Sequence, residues 1–159
     1  LMLDPEAWDQ VSDLIEPQDF YRAGHQVLFK AIKELQTRSL PVDLITVNNL
    51  LSSNGELQVA GGPDYLAELV SRTVSSANVS VYAKIVKEKS LLRKMIQTST
   101  EVLEKAYAED FITVDHFLDE AEEKFYKLGE QKNSQGLEGP LDLVRDSMMK
   151  IEELFKMKA

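Results

Sequence analysis

Residues 78–108, NVSVYAKIVKEKSLLRKMIQTSTEVLEKAYA, decide the fold. Val81, Ile85, Leu92, Ile96, Ser99, Leu103 and Tyr107 fall along one line at helical spacing, so the stretch reads as a single long helix. Glu109-Asp110 interrupts it, and Thr113 is placed to cap a second helix. That helix carries Val114, Phe117, Leu118, Ala121, Phe125 and Leu128 on one side and Asp115, Asp119, Glu120, Glu122 and Glu123 on the other. Two amphipathic helices joined by a short turn make an αα-hairpin over residues 78–128. At ~1.5 Å per residue the first helix runs on the order of 45 Å.

The apolar arc of that first helix is wide. Ile85, Leu92, Ile96 and Leu103 form its centre, with Leu91, Met95 and Val102 on one flank and Val79, Tyr82 and Val86 on the other. It covers roughly two-thirds of the circumference, whereas a helix facing one core typically shows a stripe of ~100°. The narrow second helix cannot cover it. We expect the N-terminal half of the chain to do so between Val79 and Leu92, leaving the surface beyond Met95 for another chain.

Working outward, residues 1–77 read as a globular helical subdomain. Pro5 stands at a helix start before Trp8, Val11, Leu14 and Ile15, and Pro17 closes that helix. Asp19 precedes a strong helix with His25, Leu28, Phe29, Ile32 and Leu35 on one face. Asp43 caps a short helix that ends at Asn54-Gly55, Leu57 and Val59 suggest a brief extended stretch, and Pro63 opens another helix. On the far side of the hairpin, residues 129–139 are polar and glycine-containing and read as a flexible linker. Residues 140–156 then form an isolated amphipathic helix, with Leu141, Val144, Met148, Ile151 and Phe155 spaced +3, +4, +3 and +4. Such a helix is marginal alone in water, so this face needs a partner. The fold class is all-α.

Composition narrows the function. With 159 residues, 43% hydrophobic and 28% charged, the chain is one ordinary domain with an appendage. It has no run of apolar residues long enough to span a membrane. The absence of cysteine removes a disulfide framework and suits a cytoplasmic protein. A net charge of −9 argues against general nucleic-acid binding, which needs a basic face. The start without an initiator methionine, apparently inside a helix, reads as a fragment of a longer chain.

Chemistry is not written in the motifs. His25 sits on an apolar helix face and reads as a hydrogen-bonded core histidine, and His116 as a solvated one. Neither follows a Glu at i−3, so a di-iron bundle motif is lacking, and without cysteine a structural zinc site is nearly excluded. Gly61-Gly62-Pro63 lacks the spacing of a phosphate loop. The carboxylates form no pair that spacing singles out for acid–base work. No catalytic, cofactor-binding or metal-binding residue is assigned. Lys84, Lys87, Lys89, Arg93 and Lys94 make a basic band, read as a solvated face.

Several stretches nevertheless carry a resemblance. They are Leu3-Asp4-Pro5-Glu6-Ala7-Trp8, Asp19-Phe20-Tyr21-Arg22, His25 with Phe29, and Pro41-Val42-Asp43-Leu44. Gly61-Gly62 with Tyr65-Leu66, Ala77-Asn78, Tyr82-Ala83-Lys84-Ile85-Val86, Leu92-Arg93 and Leu118-Asp119-Glu120-Ala121-Glu122 complete the set. In this order, over about residues 1–128, they resemble the N-terminal domain of DnaB-type bacterial replicative helicases, and the tail resembles that family's linker helix.

The resemblance implies a non-catalytic scaffold. Its hairpins pair between subunits into the collar of a hexamer that receives the C-terminal helicase-binding domain of primase and, in some bacteria, a helicase loader. It implies that ATP and Mg belong to a motor domain outside this stretch, that no direct nucleic-acid or membrane binding is expected, and that the protein works in the bacterial cytoplasm at replication forks. The residues assigned to primase docking or hairpin pairing are Tyr65, Met95, Ile96 and Val102, the competing reading being that each is core. Leu141, Val144, Met148, Ile151 and Phe155 are assigned to contact a neighbouring motor domain. Two other functions compete: a free-standing helical adaptor, and a small enzyme or metal carrier using the carboxylates. A P-loop encoded downstream would exclude the first, and metal analysis the second.

Overall fold

The computed structural model describes residues 1–73, 75–133 and 140–157, with side chains at all of these except 132, 133, 140–144 and 146. Among the described residues there are seven α-helices, one 3-10 turn and no strands. The helices are α1 (Ala7–Val11), α2 (Ala23–Thr37), α3 (Leu44–Ser53), α4 (Gly62–Arg72), α5 (Val79–Ala108), α6 (Val114–Asn133) and α7 (Pro140–Met157). Inter-residue contacts divide the chain into Leu1–Leu92 and Arg93–Ala159, so the division falls within α5, fifteen residues after the sequence-based boundary at 77/78.

The first unit is organised on α2. Its Leu28, Ala31, Ile32 and Leu35 are buried with Val42, with Val47 and Leu51 of α3, Ala60, and Leu66 of α4. A second cluster joins Val11, Ile15 and Phe29 to Ala83 of α5, with Phe20, Val79 and Val86 packed around it. Trp8 and Phe20 lie 5.5 and 5.2 Å from the Phe29 ring. Each fully buried aliphatic side chain contributes about 1.5–3 kcal/mol.

The turn chemistry is local. Asp43 accepts a hydrogen bond from the Thr46 N–H at 2.8 Å, and the Thr46 hydroxyl accepts one from the Asp43 N–H at 3.0 Å. This reciprocal cap starts α3 as its sequence indicates. Gly55 closes it at φ 72°, with the Glu56 N–H on the Leu51 carbonyl. Elsewhere the structure departs from the pattern. Pro17 comes too soon for a long first helix, so α1 spans only Ala7–Val11. Leu57 and Val59 are not extended but lie in turns, closed by the Ala60 and Gly62 N–H groups on the Glu56 and Leu57 carbonyls.

In the second unit, the C-terminal part of α5 and α6 run antiparallel. Lys94 meets Gln131 at 3.1 Å, Lys124 meets Glu101 at 3.2 Å and Lys105 meets Glu120 at 2.6 Å, so rising numbers on one helix match falling numbers on the other. The Thr113 hydroxyl accepts the His116 N–H at 3.1 Å and caps α6. Phe111 and Phe117 stack at 5.1 Å near the turn. Helix α6 continues through Asn133, beyond the Leu128 end read from its apolar pattern. Of the expected flexible linker over residues 129–139, positions 134–139 lie outside the described residues.

Candidate partner-binding surface

Helix α5 turns a different face to its own core than its sequence suggests. The buried positions are Ala83 and Ser90, two of its smallest residues. The large apolar residues Val81, Ile85, Leu92, Ile96, Leu103 and Tyr107 are between 47% and 84% exposed. The expectation that the N-terminal half covers this arc from Val79 to Leu92 therefore holds for Val79 and Val86, which pack on the second cluster, and is corrected for Val81, Tyr82, Ile85 and Leu92, which are exposed. Small residues let α5 approach the Val11–Phe29 cluster closely, and the bulky stripe is left outward.

What fixes this rotation is a buried ionic cluster. The Asp19 side chain is fully buried in the 3-10 turn Pro17–Asp19. Its carboxylate accepts hydrogen bonds from the Glu16 N–H at 2.8 Å, the Ser90 hydroxyl at 2.8 Å and the Lys87 ammonium at 3.0 Å. Burial pushes this carboxyl up, but those three donors and the Lys87 charge outweigh it and hold it below its ordinary value. Lys87 is thus not part of a solvated basic band, because a buried carboxylate needs its charge. The sequence hides this: Lys87 and Ser90 look like ordinary polar positions opposite the apolar stripe.

Tyr65 serves a packing role in α4. Its hydroxyl lies 2.9 Å from His25 Nε2 of α2, and the two rings are nearly parallel, 12° apart with centroids 6.3 Å apart. Gly61 holds φ 109°, and a Cβ there would stand 2.4 Å from Tyr65 Cδ1, so the ring lies flat against bare backbone. His25 is half-buried and hydrogen-bonded, in line with its sequence reading. Burial first, and then the Arg22 charge, lower its pKa. A shallow hollow of about 300 Å³ lies beside it, lined by Arg22, His25, Val59 and Tyr65 among others.

The remaining assigned residues fall on open surface to different degrees. Met95 and Ile96 are exposed, and Val102 is half-exposed. On α7, Met148, Ile151 and Phe155 are exposed, together with Met149 and Leu154. Leu141 and Val144 lie within α7, but their side chains fall outside the described residues. His116 is exposed, 3.5 Å from Glu120. Among the described residues, no three His, Asp or Glu side chains group as a metal site, and no helix is long and apolar enough to cross a membrane.

The distinguishing feature is therefore an all-helical domain with a long, uncovered apolar helix face. Residues 1–88 match the family described as the DnaB-like helicase N-terminal domain, and the chain belongs to that family. It is 38% identical over 154 residues to the replicative DNA helicase DnaB of Geobacillus stearothermophilus, covering 97% of this chain and 34% of the relative. It is 37% identical over 158 residues to replicative DNA helicase DnaB of Buchnera aphidicola subsp. Baizongia pistaciae, covering 98% and 34%. The crystal structure of the N-terminal domain of DnaB helicase from Mycobacterium tuberculosis superposes with a TM-score of 0.75 at 36% identity, over 79% of this chain and 88% of that one. The chain spans about a third of the length of these curated relatives, and the region matched is their N-terminal domain, not a motor domain.

Proposed function

We propose that this domain is a non-catalytic scaffold of a bacterial replicative DNA helicase, which associates with copies of itself through its hairpin and recruits primase. The observation that carries the reading is the exposed apolar stripe of α5. Six large side chains held in water between Val81 and Tyr107 are a liability unless another protein covers them. Ile96, Met95 and Val102 lie on or beside that stripe and are the proposed contacts, to primase or to a second hairpin. Tyr65 acts indirectly, by fixing α4 against α2 next to the same helical body. The exposed face of α7, with Met148, Ile151 and Phe155, together with Leu141 and Val144, is proposed to pack on a neighbouring motor domain. ATP and Mg belong to that motor domain, a loader is a further partner, and the site of action is the replication fork in the bacterial cytoplasm.

The test is a calorimetric titration of this domain, and of the whole helicase, with the helicase-binding domain of the cognate primase. Saturable binding that weakens at least tenfold with Ile96→Asp or Val102→Asp is expected. Absence of binding to both proteins overturns primase recruitment.

A further inference from the structure

The hollow of about 300 Å³ beside His25 is built by two stretches distant in sequence, residues 22–25 and 59–65. Glycines let them meet. A Cβ at Gly24 would stand 2.7 Å from the Val59 carbonyl oxygen, and Gly61 holds φ 109° against the Tyr65 ring. Around this bare backbone the polar side chains Arg22, His25 and Tyr65 line the hollow. Among the described residues no carboxylate lines it, although the chain carries a net charge of −9. The charge of Arg22 is also unanswered. Arg38 and Arg72, the other arginines of the first unit, pair with Glu34 and Glu68 on their own helices. Among the described residues no carboxylate pairs with Arg22, and its charge acts instead on His25. Val59, an exposed apolar side chain, adds an apolar edge.

We infer that this hollow docks an acidic side chain, a glutamate or aspartate flanked by apolar residues, presented by a partner protein. It uses no residue of the α5 stripe. Arg22 offers a planar guanidinium, which holds a carboxylate through two parallel hydrogen bonds. Its single full charge matches a carboxylate better than a phosphate dianion. Tyr65 supplies a second donor. The 2.9 Å bond between its hydroxyl and His25 Nε2 has two arrangements. In one the hydroxyl donates to Nε2. In the other Nε2–H donates to the hydroxyl oxygen, which leaves the O–H for a ligand. A bound carboxylate selects the second, so His25 acts as a positioning residue behind Tyr65. An exposed arginine pair contributes little by itself. Here the part-buried hydroxyl adds a bond, and apolar groups covering Val59 exclude water from the ion pair. The charged and titratable groups acting on the imidazole are Arg22 at the start of α2 and Tyr65 of α4. A carboxylate added beside them favours the imidazolium, so docking is accompanied by proton uptake on His25.

The chain contains two histidines, and the exposed His116 of the second unit serves as an internal reference. The full 159-residue chain is titrated with the capped peptide acetyl-Ala-Leu-Glu-Leu-Ala-amide, with its Gln counterpart and with inorganic phosphate. The ring-proton signals of both histidines are followed by NMR, and a His116→Gln variant assigns them. The Glu peptide is expected to move the His25 signal saturably by about 10 mM, to raise the midpoint of its pH titration, and to leave His116 unchanged. The Gln peptide, and the Glu peptide with the Arg22→Gln variant, are expected to bind about tenfold more weakly. Arg22 is exposed, so that variant keeps the fold, which circular dichroism verifies. A His25 signal that stays still with the Glu peptide, or moves equally with the Gln peptide, overturns the inference. Undiminished binding to Arg22→Gln overturns it as well. An equal response to phosphate means a general anion site and overturns the acidic side chain as its occupant. None of these outcomes bears on the self-association or primase recruitment proposed above.

Discussion

Lys87 of α5 reaches the buried carboxylate of Asp19, Nζ to Oδ2 at 3.0 Å, and so joins residues 68 positions apart. This contact, with the Ser90 hydroxyl beside it, sets the rotation of α5 about its own axis. Rotation in turn decides which residues face water. The ion pair, with Ala83 packed in the core, therefore holds the face of α5 opposite the external apolar stripe.

Lys87→Met keeps the stem and removes the charge. Because Lys87 retains 22% exposure, water replaces part of the lost interaction, and the loss is about 2 kcal/mol, below the ~3–5 kcal/mol typical of breaking a fully buried pair. Urea unfolding monitored by far-ultraviolet circular dichroism measures it. Substituting both partners, Asp19→Leu with Lys87→Met, is expected to cost less than Lys87→Met alone.

The same carboxylate gives an acid limit. Its folded pKa is lowered, so its contribution is fully present above the ordinary value of about 3.9 and is lost as pH falls from there through the folded value. His25 adds a second step. Its folded pKa is also lowered, so the folded state resists a proton that the unfolded chain accepts, and stability declines as pH falls below about 6.5. Thermal midpoints recorded from pH 8 to pH 3 should fall in both windows, and His25→Gln should remove the upper step and leave the lower.

Tyr65→Phe removes the hydroxyl that bonds His25 and nothing else. The expected loss is about 1 kcal/mol, the net value of one part-buried hydrogen bond. Gly61→Ala is more damaging, by about 3 kcal/mol, because it combines a left-handed backbone angle with a Cβ driven into the Tyr65 ring. Differential scanning calorimetry of the two variants checks both the values and their order.

Glu109 ends α5 at φ 52°, with its own N–H on the Ala106 carbonyl and the Asp110 N–H on the Lys105 carbonyl. Glycine adopts this conformation without the steric cost of a Cβ. Glu109→Gly is expected to stabilise the protein by about 0.5–1 kcal/mol, whereas Gly55→Ala at the equivalent end of α3 is expected to destabilise it by about 1 kcal/mol. Paired chemical-denaturation curves decide this, and a loss of stability in Glu109→Gly contradicts the reading of that turn.

Much of this architecture is legible because it is local. Asp43 with Thr46, Thr113 before α6 and Gly55 after α3 each act within a few residues, and all three perform as their types and spacing indicate. The length of α5 follows from an uninterrupted periodicity. Its orientation does not. Apolar spacing identifies a face but not what covers it, and here the core takes Ala83 and Ser90 while the larger residues turn outward. Likewise, Lys87 cannot be distinguished from Lys84 or Lys89 without knowing that Asp19 lies beneath it. Tyr65 stands out through its Gly-Gly-x-x-Tyr-Leu setting, yet its bond to His25 spans 40 residues and is invisible to any local pattern.

The central claim is that the outward stripe of α5 exists to be covered by protein. Sedimentation velocity over a concentration series, comparing the unsubstituted chain with the double variant Ile96→Asp, Leu103→Asp, tests it most directly. Both positions are exposed, so the folded monomer should tolerate the change, which circular dichroism verifies. The expected result is a concentration-dependent dimer for the unsubstituted chain and a folded monomer for the variant. Equal self-association of the two proteins would contradict the claim.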